Sequence, residues 1–105
     1  MVDGSAIDRV VAHFAGLTET PIDIPEWGIK ATVRPMTVAD KSYIMDKAAG
    51  DEFRQMVFLL IRKLKSDGAP VFLETDRLKL ENSGDERVIR RVAMELMAAE
   101  PEGGN

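Results

Sequence analysis

Apolar positions in this chain recur with two periods, and the changes between them mark its elements. Ile7, Val10, Val11, Phe14 and Leu17 fall within about a third of a turn at 100° per residue, the stripe of an amphipathic helix. Ser5 with Asp8 three positions later marks its start; Gly16 and the 18–21 stretch mark its end, so the pattern predicts a helix over 5–16. As a terminal element it is expected to dock weakly, or on a partner. The period then drops to two. Ile22 and Ile24 alternate with Asp23, and Ile29, Ala31 and Val33 alternate with Lys30, Thr32 and Arg34, which predicts two half-buried strands. Pro25 and Gly28 bracket a turn that holds the single Trp27, and Pro35 closes the second strand, giving a hairpin over 21–35. Two strands alone are marginal in water, so helices must cover them or they must extend a neighbour's sheet.

A helical period follows. Thr37 with Asp40 repeats the start signal for a helix over 37–49, with Val38, Met45 and Ala49 on one face and Ile44 at its flank, ended or bent at Gly50. Over 51–65, Phe53, Met56, Val57, Leu60, Ile61 and Leu64 make an arc of roughly 140°. Phe58 and Leu59 lie outside that arc, one on each side, and widen the apolar surface to most of the circumference. A helix apolar nearly all round is buried on several sides. A small domain offers few layers for that, so Phe58 and Leu59 predict self-association as the missing cover.

Residues 66–70 read as a turn, and 71–73 are apolar but too short to classify. A short helix is expected over 76–82, a break at Gly84, and a last helix over 85–99 with Val88, Ile89, Val92, Ala93, Leu96 and Met97 along one half. Residues 100–105, with Pro101, Gly103 and Gly104, read as a disordered tail. The expected architecture is a single α+β domain over 1–99, mainly helical: a hairpin near the N-terminus followed by a bundle of about four helices.

Composition narrows the function more than the fold. The chain has 105 residues, enough for one modest core. It has no cysteine, which removes disulfides and thiolate metal sites. A net charge of −4 argues against a general nucleic-acid binder, whose footprint is basic. No apolar run reaches the roughly 18–20 residues that span a bilayer, and the first residues lack a secretory pattern. A soluble, cytoplasmic domain is expected.

Candidate chemistry is sparse. His13 falls on the polar side of the first stripe beside Arg9, with no orienting partner in view, and reads as solvated. Asp67 and Gly68 do not match a calcium loop. No catalytic, cofactor-binding or metal-binding residue is assigned, and the expectation is a protein that is not an enzyme. The candidate interface residues are Trp27, Phe58, Leu59, Arg87, Arg90 and Arg91. Trp27 beside Gly28 either folds back as core or projects as a binding anchor, and both readings stay open. Arg62, Lys63 and Lys65 end a helix, where the macrodipole favours cations. Arg87, Arg90 and Arg91 lie near a helix start, where it does not; they form either a solvated face or a contact for an acidic partner. Met36, Met45, Met56, Met94 and Met97 offer adaptable packing, although at helical spacing they read first as core.

One family pattern runs through these segments. The order Ile24-Pro25-Glu26-Trp27-Gly28, then Val33-Arg34-Pro35-Met36-Thr37-Val38-Ala39-Asp40, resembles the tail assembly chaperones of long-tailed (siphovirus-type) bacteriophages. There a Val-Pro-Glu-Trp-Gly strand and turn precede a Val-Arg-x-Leu-Thr strand end and a charged helix; Met36 stands here at the leucine position. Asp67-Gly68-Ala69-Pro70-Val71-Phe72, Leu78-Lys79 and Val88-Ile89-Arg90-Arg91-Val92-Ala93 are similar to its later segments. The resemblance covers about residues 20–98, and order and spacing carry it together. It implies a protein that binds the long helical tape measure protein in the host cytoplasm and helps tail tube protein polymerise around it. It also implies absence from the finished virion, homo-oligomers including rings or spirals, and in some members a longer form made by translational frameshift. The alternative from a different class is a small non-enzymatic adaptor or regulatory domain that binds one folded partner.

Overall fold

A computed structural model describes residues 5–98. Five α-helices and a four-stranded antiparallel sheet make an α+β fold. Helix α1 spans Ala6–Ala15, with Ser5 Oγ accepting from the Asp8 N–H at 3.3 Å. Strands β1 (Thr20–Ile24) and β2 (Ile29–Val33) form the hairpin, in a register that sets Ile22 opposite Ala31 and Ile24 opposite Ile29. Pro25–Trp27 make a 3₁₀ turn between them, closed by Gly28 at φ 65°. A Cβ at Gly28 would meet no atom within 4 Å, so the left-handed backbone and not crowding calls for glycine.

Helices α2 (Val38–Ala48) and α3 (Glu52–Lys63) are joined through Ala49 and Gly50, both at positive φ. Two consecutive left-handed residues end one helix and turn the chain sharply into Asp51, which caps α3 by accepting from the Arg54 N–H at 3.0 Å. The expected helix over 51–65 stops at Lys63, and Lys65–Ser66 form strand β3, which pairs with β2 at Thr32. Ala69–Pro70 form β4 across the Asp67-Gly68 turn, both turn residues again at positive φ. This second, minimal hairpin is the main departure from the sequence expectation. Its turn is legible as Asp-Gly, but strands of two residues carry no alternation to detect. Residues 71–73 lie outside helix and strand. A 3₁₀ turn (Glu74–Asp76) leads into α4 (Arg77–Ser83), and α5 (Glu86–Ala98) follows. The expected tail over 100–105 and the end of the last helix at 99 lie outside the described residues.

Helices α3 and α5 pack on one face of the sheet, with α2 and α4 against α3. Ile22, Ile24, Ala31 and Val33 point into the core, while Asp23 and Lys30, cross-strand partners, lie exposed on the other face. Helix α3 is the central element, in contact with α2, α4, α5 and β4. Leu60 and Leu64, both fully buried, fill the middle of the core with Ile24 and Val92. Among the described residues no helix is long and apolar enough to cross a membrane.

Candidate interaction surface

The arrangement accounts for Phe58 and Leu59 within a single chain. They are 5% and 4% exposed and belong to the central core, which corrects their assignment as interface residues. The missing cover comes from α2 on one side, where Tyr43 meets the Phe58 ring edge-on at 6.2 Å, and from the sheet, α4 and α5 on the others. An apolar circumference on α3 thus reports its central position and gives no argument for self-association.

The C-terminal end of α3 is tied to the start of α2 by a polar network that no local pattern announces. Thr37 and Asp40 form a reciprocal capping box, each backbone N–H donating to the other's side chain at 3.0 Å. The same Asp40 carboxylate accepts from Lys63 Nζ at 2.6 Å and Arg62 Nε at 2.8 Å. Lys63 is itself buried and donates a further bond to the Pro35 carbonyl at 3.1 Å. Burial works to raise the pKa of Asp40, but Lys63, Arg62 and the Thr37 N–H outweigh it and hold the carboxyl well below the usual range. Arg62 also lies over the Tyr43 ring at 4.7 Å. Burial and the hydrogen bond to the Glu74 carboxylate push the Tyr43 hydroxyl up to about 12. Arg62 and Lys63 therefore act through named side chains beyond the helix dipole. No buried side-chain polar atom of this network lacks a hydrogen-bond partner, and the contacts lock α2 on α3; Lys63 also lines a small cleft of about 50 Å³ beside Pro35.

Trp27 sits at the hairpin tip, half-buried, with its ring edge-to-face on Phe72 at 6.0 Å and 86°. Trp27, Ile29, Val71, Phe72 and Leu80 are the apolar lining of an open groove of about 440 Å³, with Asp76, Lys79 and Ser83 also along it. Trp27 packs in part on the core, and the rest of it lines this groove.

The three arginines of α5 do not converge. Arg87 is exposed and 3.7 Å from Asp85; Arg90 pairs with Glu86 one turn back and lies over Phe53 at 5.4 Å. Arg91 pairs with Glu95 at 3.2 Å and with Glu26 on the turn before Trp27, fastening α5 to the hairpin tip. The bond from Arg91, then Glu26's own backbone, hold the Glu26 carboxyl below its ordinary range against a smaller desolvation effect. Arg91 is thus a positioning residue for the Trp27 turn, a pairing 65 residues long that spacing does not reveal.

Other apolar surface lies open. Ile7, Val10 and Val11 on α1 are exposed at 65, 63 and 61%, and α1 buries no residue at all. Its C-terminal end alone is anchored, by Leu17, which is buried, and by Arg34, which donates to the Phe14 carbonyl at 3.0 Å and lies over the Phe14 ring at 4.9 Å. Met36, Met45, Met94 and Met97 are exposed rather than core, and only Met56 packs against the core. Met36 and Met97 border one small cleft of about 50 Å³ with Leu96, and Met94 lies one turn before Met97 on α5. His13 is exposed. Among the described residues, no three His, Cys, Asp or Glu side chains come together as a metal site. No protein-family model matches the chain, and neither does any curated protein or solved structure.

Proposed function

We propose that this chain is a phage tail assembly chaperone, which holds the tape measure protein soluble and promotes assembly of tail tube protein around it. The proposed role is non-catalytic and is carried out in the host cytoplasm by a homo-oligomer outside the mature virion. One observation carries the reading beyond the sequence resemblance: Met94 and Met97 stand 64 and 70% exposed on the outer side of α5, continued by Met36 at 39%. Methionine side chains are flexible and polarisable, so such a surface accepts varied apolar ridges without a fixed fit. A long helical client presents many such ridges, and repeated weak contacts from linked copies bind it through effective concentration.

Co-expression with a helical fragment of a tape measure protein tests this. The wild-type chain is expected to raise the soluble yield of the fragment several-fold, and Met94→Lys with Met97→Lys to remove that effect with the fold intact, since both positions are exposed. A fragment that stays as insoluble with the chain as without it overturns the chaperone reading. Tight one-to-one capture of a single folded protein, insensitive to the methionine changes, would favour an adaptor domain instead.

A further inference from the structure

Helix α4 lies between two unfilled spaces. On one side is a cavity of about 260 Å³ walled by Phe53, Met56 and Val57 of α3 and Ile89 of α5. On the other is the groove of about 440 Å³ beside Trp27 and Phe72. Leu80 and Gly84 border both, so the C-terminal part of α4 is their shared wall. Leu80 is the one buried residue of α4, and the helix packs mainly on α3. A short element with one buried side chain and empty space on both flanks gains little from packing, and such elements open before the core does.

The two ends of α4 are anchored to other helices. Before it, the Glu74 carboxylate accepts from the Tyr43 hydroxyl and faces Lys47 at 3.7 Å, both on α2. After it, Asp85 fixes the start of α5, its carbonyl accepting from the Ile89 N–H at 3.0 Å and its carboxylate from the Arg87 N–H at 2.9 Å. Two contacts close the span between these anchors. Glu81 Oε2 accepts from Arg54 Nε of α3 at 3.1 Å, and the same carboxylate accepts from Arg77 one turn back. Gly84 fits against α5 because it has no side chain: a Cβ there would lie 2.7 Å from Ile89 Cδ1 and 2.6 Å from the Leu80 carbonyl oxygen. From this arrangement we propose that α4 is a strap, latched at Glu81 and Gly84, that lifts as a unit while α2, α3, α5 and the sheet stay folded. Lifting takes Leu80 out of its seat and joins the two spaces into one apolar trough from Phe53 to Trp27. The trough is open only in the lifted state, so the latches control access to it. The motion needs neither a client nor a second copy.

Amide hydrogen exchange of the intact chain, read by NMR in water and in urea below the unfolding transition, tests this. Residues 81–84 are expected to share one protection level, at least about tenfold below that of residues 60–63 in α3. Urea should lower protection in α3 and leave α4 unchanged, because lifting exposes far less surface than unfolding. Asp40→Ala should do the same, since it weakens the core that both the closed and the lifted states share. Glu81→Gln is expected to lower α4 protection about two- to fivefold, the worth of one partly exposed ion pair. Gly84→Ala, by wedging α4 from α5, should lower it at least about fivefold. The chain has no cysteine, so Leu80→Cys gives a single thiol whose reaction with a thiol reagent should follow the same urea-independent opening. Four results overturn the strap. Protection in α4 that matches α3 and falls with it in urea means that α4 opens only with the whole fold. Protection that declines steadily toward Gly84 means fraying from one end. No response to Glu81→Gln and Gly84→Ala removes the latches. A Leu80→Cys thiol that reacts only through global unfolding means that the helix never leaves its seat.

Discussion

Asp40 joins a helix cap to a buried ion pair: its carboxylate closes the capping box at the start of α2 and neutralises the buried Lys63. Asp40→Ala leaves that ammonium without its counter-charge and is expected to cost about 3–5 kcal/mol in urea denaturation. The pH dependence follows from the sign of the shift. Folding lowers this carboxyl below its ordinary 3.8, so its stabilisation is complete above that value and is lost as pH falls toward the folded pKa. Asp40→Asn should be less stable than wild type at neutral pH, and the gap should narrow on acidification below about pH 4. A gap that stays constant down to pH 2 would remove the charge from the account. Ala49 presents the opposite case, a residue type at odds with its backbone. It holds φ 49° where a Cβ is unfavourable, and it is exposed. Ala49→Gly relieves that strain but loosens the unfolded chain, and the balance predicts a gain of about 0.5–1 kcal/mol in the denaturation midpoint analysis.

Helices α1 and α3 both carry apolar faces, a narrow stripe on α1 and most of the circumference on α3, and meet opposite fates. On α3 the apolar residues are core, so Leu59→Ala should cost about 2–5 kcal/mol, independently of protein concentration. A cost that appears only at concentrations where the chain associates would restore Leu59 as an interface residue. On α1 the stripe is solvent-facing, and Val10→Asp should change the thermal midpoint of the isolated chain by no more than about 0.5 kcal/mol equivalent at low concentration. Periodicity shows that a helix has an apolar face but says nothing about which surface covers it. For α3 the cover comes from elements before and after it in the chain; α1 has the anchor at Arg34 and little else. The same limit explains β3 and β4. β3 pairs with β2 because α3 delivers Lys65 beside Thr32, and β4 folds back on β3; no pattern within Lys65–Ser66 or Ala69–Pro70 decides either.

At the scale of the molecule, local chemistry accounts for the elements and their order. Alternation set the hairpin, Pro25 and Gly28 its turn, Thr37 and Asp40 the start of α2, and the dense apolar arc the central helix. These features depend on residues within a few positions of one another, so they can be read along the chain. Tertiary structure alone decided the rest: the burial of Phe58 and Leu59, the exposure of four methionines, the lock between Asp40 and Lys63, the tie from Arg91 to Glu26, and the groove beside Trp27. Each depends on side chains more than 20 residues apart or on the space between elements, and burial is a property of that space. Trp27 was visible as a turn residue from composition and spacing, but only the approach of Phe72, from the segment after β4, made its surroundings an apolar groove.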